Sequence, residues 1–400
     1  MKGNFERKVL ENGMTILLEK RDIPVVSVAF AVRQGGVNED SHEKGISHFI
    51  EHMLYKGTPS RDAKKIADEI EGKGGALNGF TDEEITAYWC KMPAEDLNIA
   101  LEVLGDMVRN PKFDEKEVEK ERKVIFEEIK RRKDNPQIYV FDKIQGLLYE
   151  APLGEDLAGT YETMNSLGRE ELVNKFKEVY QTDKMVLCVV GNAEMQTLVD
   201  FVEKSFKKGN GKTQNFEIKK KNNSGLEKRK GIDQANLVLA FHAPLLGDDK
   251  NYAMKVLNSL IAEGMSSRLF TEIREKRNMA YSVRGYCNVS KDYSYELIYV
   301  GTTKEKVNEV KKLILEEFEK VSEGLMEEEL EKTKEKMIGN YKLSMEDSQD
   351  QMVNILSAEI DGNAESFYEF EEKILKVKIE DVKELAKIKD YSFFALVPED

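Results

Sequence analysis

Apolar positions follow two rhythms along the chain. Met14 to Glu19 and Pro24 to Val32 are short runs rich in Val, Ile and Leu, broken around Arg21-Asp22, and predict two strands. Gly35-Gly36 opens a polar loop. From about Gly45 the spacing lengthens to helical: Ile46, Phe49, Ile50, Met53 and Leu54 form one face, and His48, Glu51, His52 and Tyr55 the other. A second helix, Arg61 to Glu71, stops at Gly72 and Gly74-Gly75. Ala76 to Thr81 and Ile85 to Met92 predict a hairpin turning through Asp82-Glu83-Glu84. Helical spacing returns from Ala94 to about Asn110 and from Asp114 to Arg132, is interrupted at Pro136, and resumes over Val140 to Leu148. Met185 to Val190 is an apolar strand ended by Gly191, followed by a helix to about Phe206.

From Lys207 to Lys230 the sequence turns to Lys, Asn and Gly with little to bury, which predicts a linker. The order of elements then repeats: strand Ala235 to Phe241, helices Tyr252 to Ala262 and Arg268 to Lys276, and a hairpin of Tyr281 to Val289 with Tyr293 to Val300. Further helices and a last strand, Phe393 to Val397, complete the chain. Phe113-Asp-Glu-Lys-Glu-Val-Glu-Lys aligns with Leu325-Met-Glu-Glu-Glu-Leu-Glu-Lys at a shift of 212. The reading is an internal duplication. The fold class is α+β, in two similar halves that each carry a mostly antiparallel sheet with helices on one face. Residues 1–206 form one half, 207–230 the linker and 231–400 the other.

Composition narrows the setting. A 400-residue chain with 34% charged and 40% hydrophobic residues has the make-up of a water-soluble protein. Its net charge of −14 argues against nucleic-acid binding, which needs a basic face. Cys90, Cys188 and Cys287 are too few and too far apart for a disulfide framework or a thiolate metal site. With no apolar N-terminal stretch and no membrane-length apolar run, a cytoplasmic location is expected.

Candidate chemistry gathers on the first helix. Two imidazoles one turn apart, with a carboxylate between them, can hold one zinc ion and take a proton from water beside it. This assigns His48 and His52 as metal ligands and Glu51 as general base, in the inverted His-x-x-Glu-His order. Among four histidines in 400 residues, chance would give that pattern roughly once in a few hundred chains.

A catalytic zinc needs a third protein ligand. The helix Asp114 to Arg132 offers one, because Val118, Glu121, Ile125 and Glu128 form a single stripe. A carboxylate in line with buried residues must be paired or metal-bound. Glu127 instead shares a face with Lys123 and Arg131, so Glu128 is the expected ligand. Glu121 is left between two roles, pairing an internal cation or orienting a ligand. In the second half Glu121 becomes Thr333 and Glu128 becomes Asn340, and the only histidine is His242. That half keeps the scaffold without the metal.

These residues sit in longer stretches. They include Gly45-Ile-Ser-His-Phe-Ile-Glu-His-Met-Leu-Tyr-Lys-Gly-Thr, Gly74-Gly-Ala-Leu-Asn-Gly-Phe-Thr and Glu121-Arg-Lys-Val-Ile-Phe-Glu-Glu-Ile. Gly264-Met-Ser-Ser-Arg-Leu-Phe and Arg274-Glu-Lys-Arg-Asn-Met-Ala-Tyr281-Ser-Val follow in the second half. Together they resemble the inverted-motif zinc peptidases of the pitrilysin and mitochondrial processing peptidase family, in its short bacterial form. The resemblance implies one zinc on His48, His52 and Glu128, Glu51 as base and Glu121 as an accessory acid. It implies that Asn78, Gly79, Phe80 and Thr81 form an edge strand to which an extended peptide is added. Gly79 stands where the family more often has alanine. Arg274 and Tyr281 resemble a substrate-clamping pair that serves the site of a second subunit, so a homodimer enclosing a chamber is implied. The expected function is zinc-dependent cleavage of extended peptides or precursor segments. The alternative is a non-catalytic peptide-binding partner subunit of a processing peptidase.

Overall fold

A computed structural model describes residues 4–399. The first half contains β1 (Asn4–Val9), β2 (Thr15–Lys20), β3 (Val25–Val32), α1 (Ile46–Leu54), α2 (Ala63–Glu71), β4 (Ala76–Thr81), β5 (Thr86–Pro93) and α3 (Leu97–Arg109). It continues through α4 (Glu115–Asp134), α5 (Pro136–Leu148), α6 (Tyr161–Ser166), α7 (Arg169–Val179), β6 (Met185–Gly191) and α8 (Met195–Ser205). The second half runs β7 (Ser224–Arg229), β8 (Ala235–His242), α9 (Lys250–Ala262), β9 (Ala280–Val289), β10 (Ser294–Thr302), α10 (Val307–Gly324), α11 (Glu327–Ser344), α12 (Ser348–Ile360) and, near the end, β11 (Ser392–Pro398).

The apolar runs become the middle strands. β3 buries seven of its eight residues and β6 all seven, as strands covered on both faces must. The first sheet has the order β1-β2-β6-β3-β5-β4, the second β7-β11-β8-β10-β9. Each is antiparallel but for one pair, β2 with β6 and β7 with β11. The expected α+β architecture in two similar halves is what the chain adopts.

Two strands had no apolar signal. β1 is almost wholly exposed, and β7 alternates exposed with half-buried residues inside the stretch expected to be a linker. Both are sheet edges, where backbone pairing suffices and charged side chains discourage further pairing. The helix expected at Arg268 to Lys276 is a π-type turn, Phe270–Glu275, in which Lys276 N–H reaches back five residues to the Thr271 carbonyl.

The chain forms two compact units that interleave in sequence. The first takes the chain up to Lys130, Asp156–Glu217 and Ser344–Tyr368; the second takes Arg131–Glu155, Ile218–Leu343 and everything from Glu369 on. Each sheet therefore gains a helix on the face away from its main core. In the first unit, Met352, Ile355 and Leu356 of α12 pack on Leu17, Ala29, Ala31, Val186 and Cys188. Glu359, at 1% side-chain exposure, fixes α12 by pairing with Arg7 at 2.8 Å and Arg33 at 2.7 Å. In the second unit, α5 sets Phe141 against Tyr286 and Tyr299, and Tyr139 against Phe394. No described helix is long and apolar enough to cross a membrane.

Candidate metal centre

α1 is held rigidly before any ligand is considered. Ile46, Phe49, Ile50, Met53 and Leu54 are at most 1% exposed, so the helix cannot roll without uncovering them. Its start is pinned by Glu39, a fully buried carboxylate that accepts the backbone N–H groups of Gly45 at 2.9 Å and Ser47 at 2.8 Å. Negative charge there complements the helix dipole. Burial raises the Glu39 carboxyl, opposed by Lys44 and by those N–H groups. Gly45 has φ 93° and no room for a side chain: a β-carbon would lie 2.5 Å from Met164 Cε and 2.8 Å from the Ala158 carbonyl. Glu39 and Gly45 carry no catalytic signature in the sequence, and only their placement identifies them.

On the opposite face, His48 and His52 stack edge to face with centroids 4.7 Å apart. The Nε2 atoms of both lie 3.6 Å from Oε2 of Glu128 on α4. Ligand atoms of His48, His52 and Glu128 all fall within 4.8 Å of one another, and no other such cluster occurs among the described residues. A tetrahedral zinc with bonds of about 2.0–2.3 Å holds its donors roughly 3.3–3.7 Å apart, and both 3.6 Å separations from Glu128 fall in that range. Glu127, by contrast, is exposed.

Glu121 meets both an imidazole and an internal cation. It is buried, accepts from His52 Nδ1 at 3.1 Å, and pairs through its other oxygen with Lys56 at 2.7 Å. A proton on Nδ1 leaves Nε2 with its lone pair toward Glu128. Burial works to raise the Glu121 carboxyl, but His52 and Lys56 outweigh it and hold it below the usual range. Burial likewise lowers the His52 imidazolium, yet Glu121, Glu128 and Glu51 carry it up to about 9. Lys56, one turn beyond His52, is the cation that sequence reasoning left unnamed.

Glu51 stands beside the ligands. Burial raises its carboxyl, countered by a hydrogen bond that Thr81 Oγ1 donates to Oε2 at 2.7 Å and by His52. Thr81 belongs to β4, which also carries Asn78, Gly79 and Phe80 and lies at the end of its sheet, paired among the described residues with β5 alone. β4 is thus at once an open edge and the support of Glu51.

Arg274 and Tyr281 lie together in the second unit. The Arg274 guanidinium carbon is 5.6 Å from the Tyr281 ring centre and 4.8 Å from that of Phe270. Both line a cavity of about 450 Å³, and Tyr281 is 76% exposed. In the same unit Thr333, the counterpart of Glu121, returns its hydroxyl to the Glu329 carbonyl, and Asn340 is exposed. His42 is exposed and bonded to Asp40, and His242 is bonded to the Lys221 carbonyl.

Similarity to known proteins covers nearly the whole chain. Residues 15–161 match the family described as insulinase, peptidase family M16, and residues 166–337 match the peptidase M16 inactive domain. The sequence is 33% identical to the uncharacterized zinc protease YmxG of Bacillus subtilis (strain 168), over 98% of both chains. It is 32% identical to an uncharacterized zinc protease of Rickettsia felis, over 96% of this chain and 94% of that one. The fold matches a protease from Helicobacter pylori with a TM-score of 0.93 at 22% identity, covering 99% of this chain and 100% of that one. A chain of complex III2 from Candida albicans matches with a TM-score of 0.86 at 19% identity, over 98% and 95%.

Proposed function

Because this chain belongs to peptidase family M16, we propose that it is a zinc-dependent endopeptidase cleaving extended peptides or precursor segments. The observation that carries the reading is the convergence of His48, His52 and Glu128 beside a carboxylate, Glu51, that makes no contribution to that ligand set. A metal-storage or structural site has no use for Glu51.

In this reading His48, His52 and Glu128 hold the zinc. Bound there, zinc supplies a Lewis acid that makes water more acidic and polarises a carbonyl. The remaining work falls to side chains. Glu51 takes a proton from the attacking water and returns it to the leaving amine. The raised carboxyl suits both steps, since a base with a higher pKa binds the proton more readily and still releases it to an amine. Thr81 keeps the carboxylate turned toward the site, and Glu121, backed by Lys56, keeps the His52 ring from rotating. Asn78 to Thr81 pair with an extended substrate through backbone groups, which selects shape over sequence. Arg274 would hold a substrate carbonyl or carboxylate, and Tyr281 would donate to the oxyanion. A second copy of the chain would bring that pair to the metal and close the chamber. A cytoplasmic location belongs to the same proposal.

The match to an inactive domain over residues 166–337 favours one alternative, a partner subunit that binds peptides without cutting them. The two readings part on Glu51→Gln. The peptidase reading expects the purified wild type to carry one zinc per chain and to digest a diverse peptide pool. Glu51→Gln should keep its zinc and lose about three or more orders of magnitude in turnover. A zinc-loaded wild type that leaves the pool intact would favour the partner subunit.

A further inference from the structure

The Tyr55 hydroxyl is buried and makes no hydrogen bond within the protein. Tyr55 ends α1, one turn beyond Glu51 and His52, with its ring 5.9 Å from that of Tyr88. A phenylalanine would fill the same space without stranding a polar atom, and a stranded buried hydroxyl is a destabilising feature of the resting fold.

The space around that oxygen is made by a glycine. A β-carbon on Gly79 would stand 2.5 Å from the Tyr55 hydroxyl, 2.8 Å from the Ala87 carbonyl oxygen and 3.3 Å from Oε1 of Glu51. Phenol and carboxylate oxygens therefore crowd one point, on the face of β4 turned toward α1. The other oxygen of Glu51, Oε2, is already engaged by Thr81.

Resting on the reading of Glu51 as the base, we propose that Tyr55 is a positioning residue for it. Its O–H donates to Oε1 of Glu51, directly after a small turn of the carboxylate or through one water, and Gly79 is the residue that lets it reach. Glu51 is then fixed between two hydroxyls, one on each oxygen. Each carboxylate oxygen keeps a second lone pair, so the proton taken from water still has a place to bind. Once Glu51 is protonated the phenol oxygen can accept rather than donate, so the contact survives both halves of the cycle.

The test uses the wild type, Tyr55→Phe, Gly79→Ala and the double variant. For Tyr55→Phe we expect kcat to fall about ten-fold with KM within about two-fold. Zinc content should be unchanged. Gly79→Ala should lower the melting temperature of the metal-free protein more when Tyr55 is present than in the Tyr55→Phe background, because the tyrosine oxygen is the nearest of the three atoms the new methyl would meet and the one that phenylalanine removes. The double variant should recover stability relative to Gly79→Ala yet keep the low kcat of Tyr55→Phe. A wild-type kcat in Tyr55→Phe or in the double variant would overturn the assignment. So would equal effects of Gly79→Ala on the melting temperature in both backgrounds. A wild type that cleaves no peptide would remove the peptidase reading and this one together; cleavage with kcat indifferent to Tyr55 would remove this one alone.

Discussion

Glu121 accepts the Nδ1 proton of His52 at 3.1 Å while Lys56 holds its other oxygen at 2.7 Å. The imidazole is therefore oriented through a side chain outside the proposed ligand set. Glu121→Gln keeps the size and one acceptor but loses the charge that favours a proton on Nδ1. We expect zinc affinity to drop by about 10- to 100-fold, read by competition with a chromophoric chelator. Unchanged affinity would mean that packing alone orients His52.

The two neighbouring glutamates of α4 should behave oppositely. Glu128 meets both imidazoles at 3.6 Å, and Glu127 is exposed. Glu128→Gln should abolish stoichiometric zinc binding in metal analysis after dialysis. Glu127→Gln should retain it and shift stability by less than about 0.5 kcal/mol.

The metal-free protein should lose stability as pH rises from neutral. His52 is held up to about 9 in the folded chain, against about 6.5 when unfolded. Between those values the folded state binds more protons than the unfolded one. The contribution is therefore full below about 6.5 and lost as pH climbs through about 9. Melting temperatures of apo protein from pH 6 to 10 should show this fall, and His52→Gln should flatten it. Zinc needs the neutral imidazole, so its affinity should rise over the same interval.

Shared sites can be tested by complementation. Glu51→Gln and Tyr281→Phe change residues of different units, and each should be nearly inactive as a homodimer. After subunit exchange, a mixed dimer would hold one site with both residues intact, so activity should reappear. Silence despite exchange shown by mass spectrometry would assign Tyr281 a role within its own chain or none.

The candidate metal ligands stood out in the sequence because the chemistry of such a site forces a pattern. His48 and His52 must sit one turn apart to share an ion, and a stripe that runs Val118, Glu121, Ile125, Glu128 puts carboxylates where only apolar residues should be. The central strands were legible for the same reason, since burial on both faces leaves a continuous apolar run. β1 and β7 left no such trace, because an edge strand is held by backbone hydrogen bonds that any sequence can make. Lys56 and Glu39 escaped notice, and Tyr55 was placed on the polar face without a role, because what each of them meets is set only by the folded chain. Lys56 meets a residue on α4, Glu39 an incoming helix end, and Tyr55 a gap defined by what Gly79 lacks. Interleaving of the units was hidden too, since α5 and α12 have ordinary amphipathic spacing that says nothing about which sheet they cover.

That interleaving fixes when the protein can become whole during its synthesis. The strands supporting α1 and β4 have all been synthesised by Gly191, but the helix that covers their other face is not complete until Ile360. Through the intervening stretch of translation Leu17, Ala29, Ala31, Val186 and Cys188 have no α12 to bury them, and a half-covered sheet invites pairing with other nascent chains. A message truncated before Ser344 would encode every candidate zinc ligand and still yield an open, aggregation-prone sheet. The candidate metal ligands come early in the chain, while the sheet beneath them is covered by a helix made near its end.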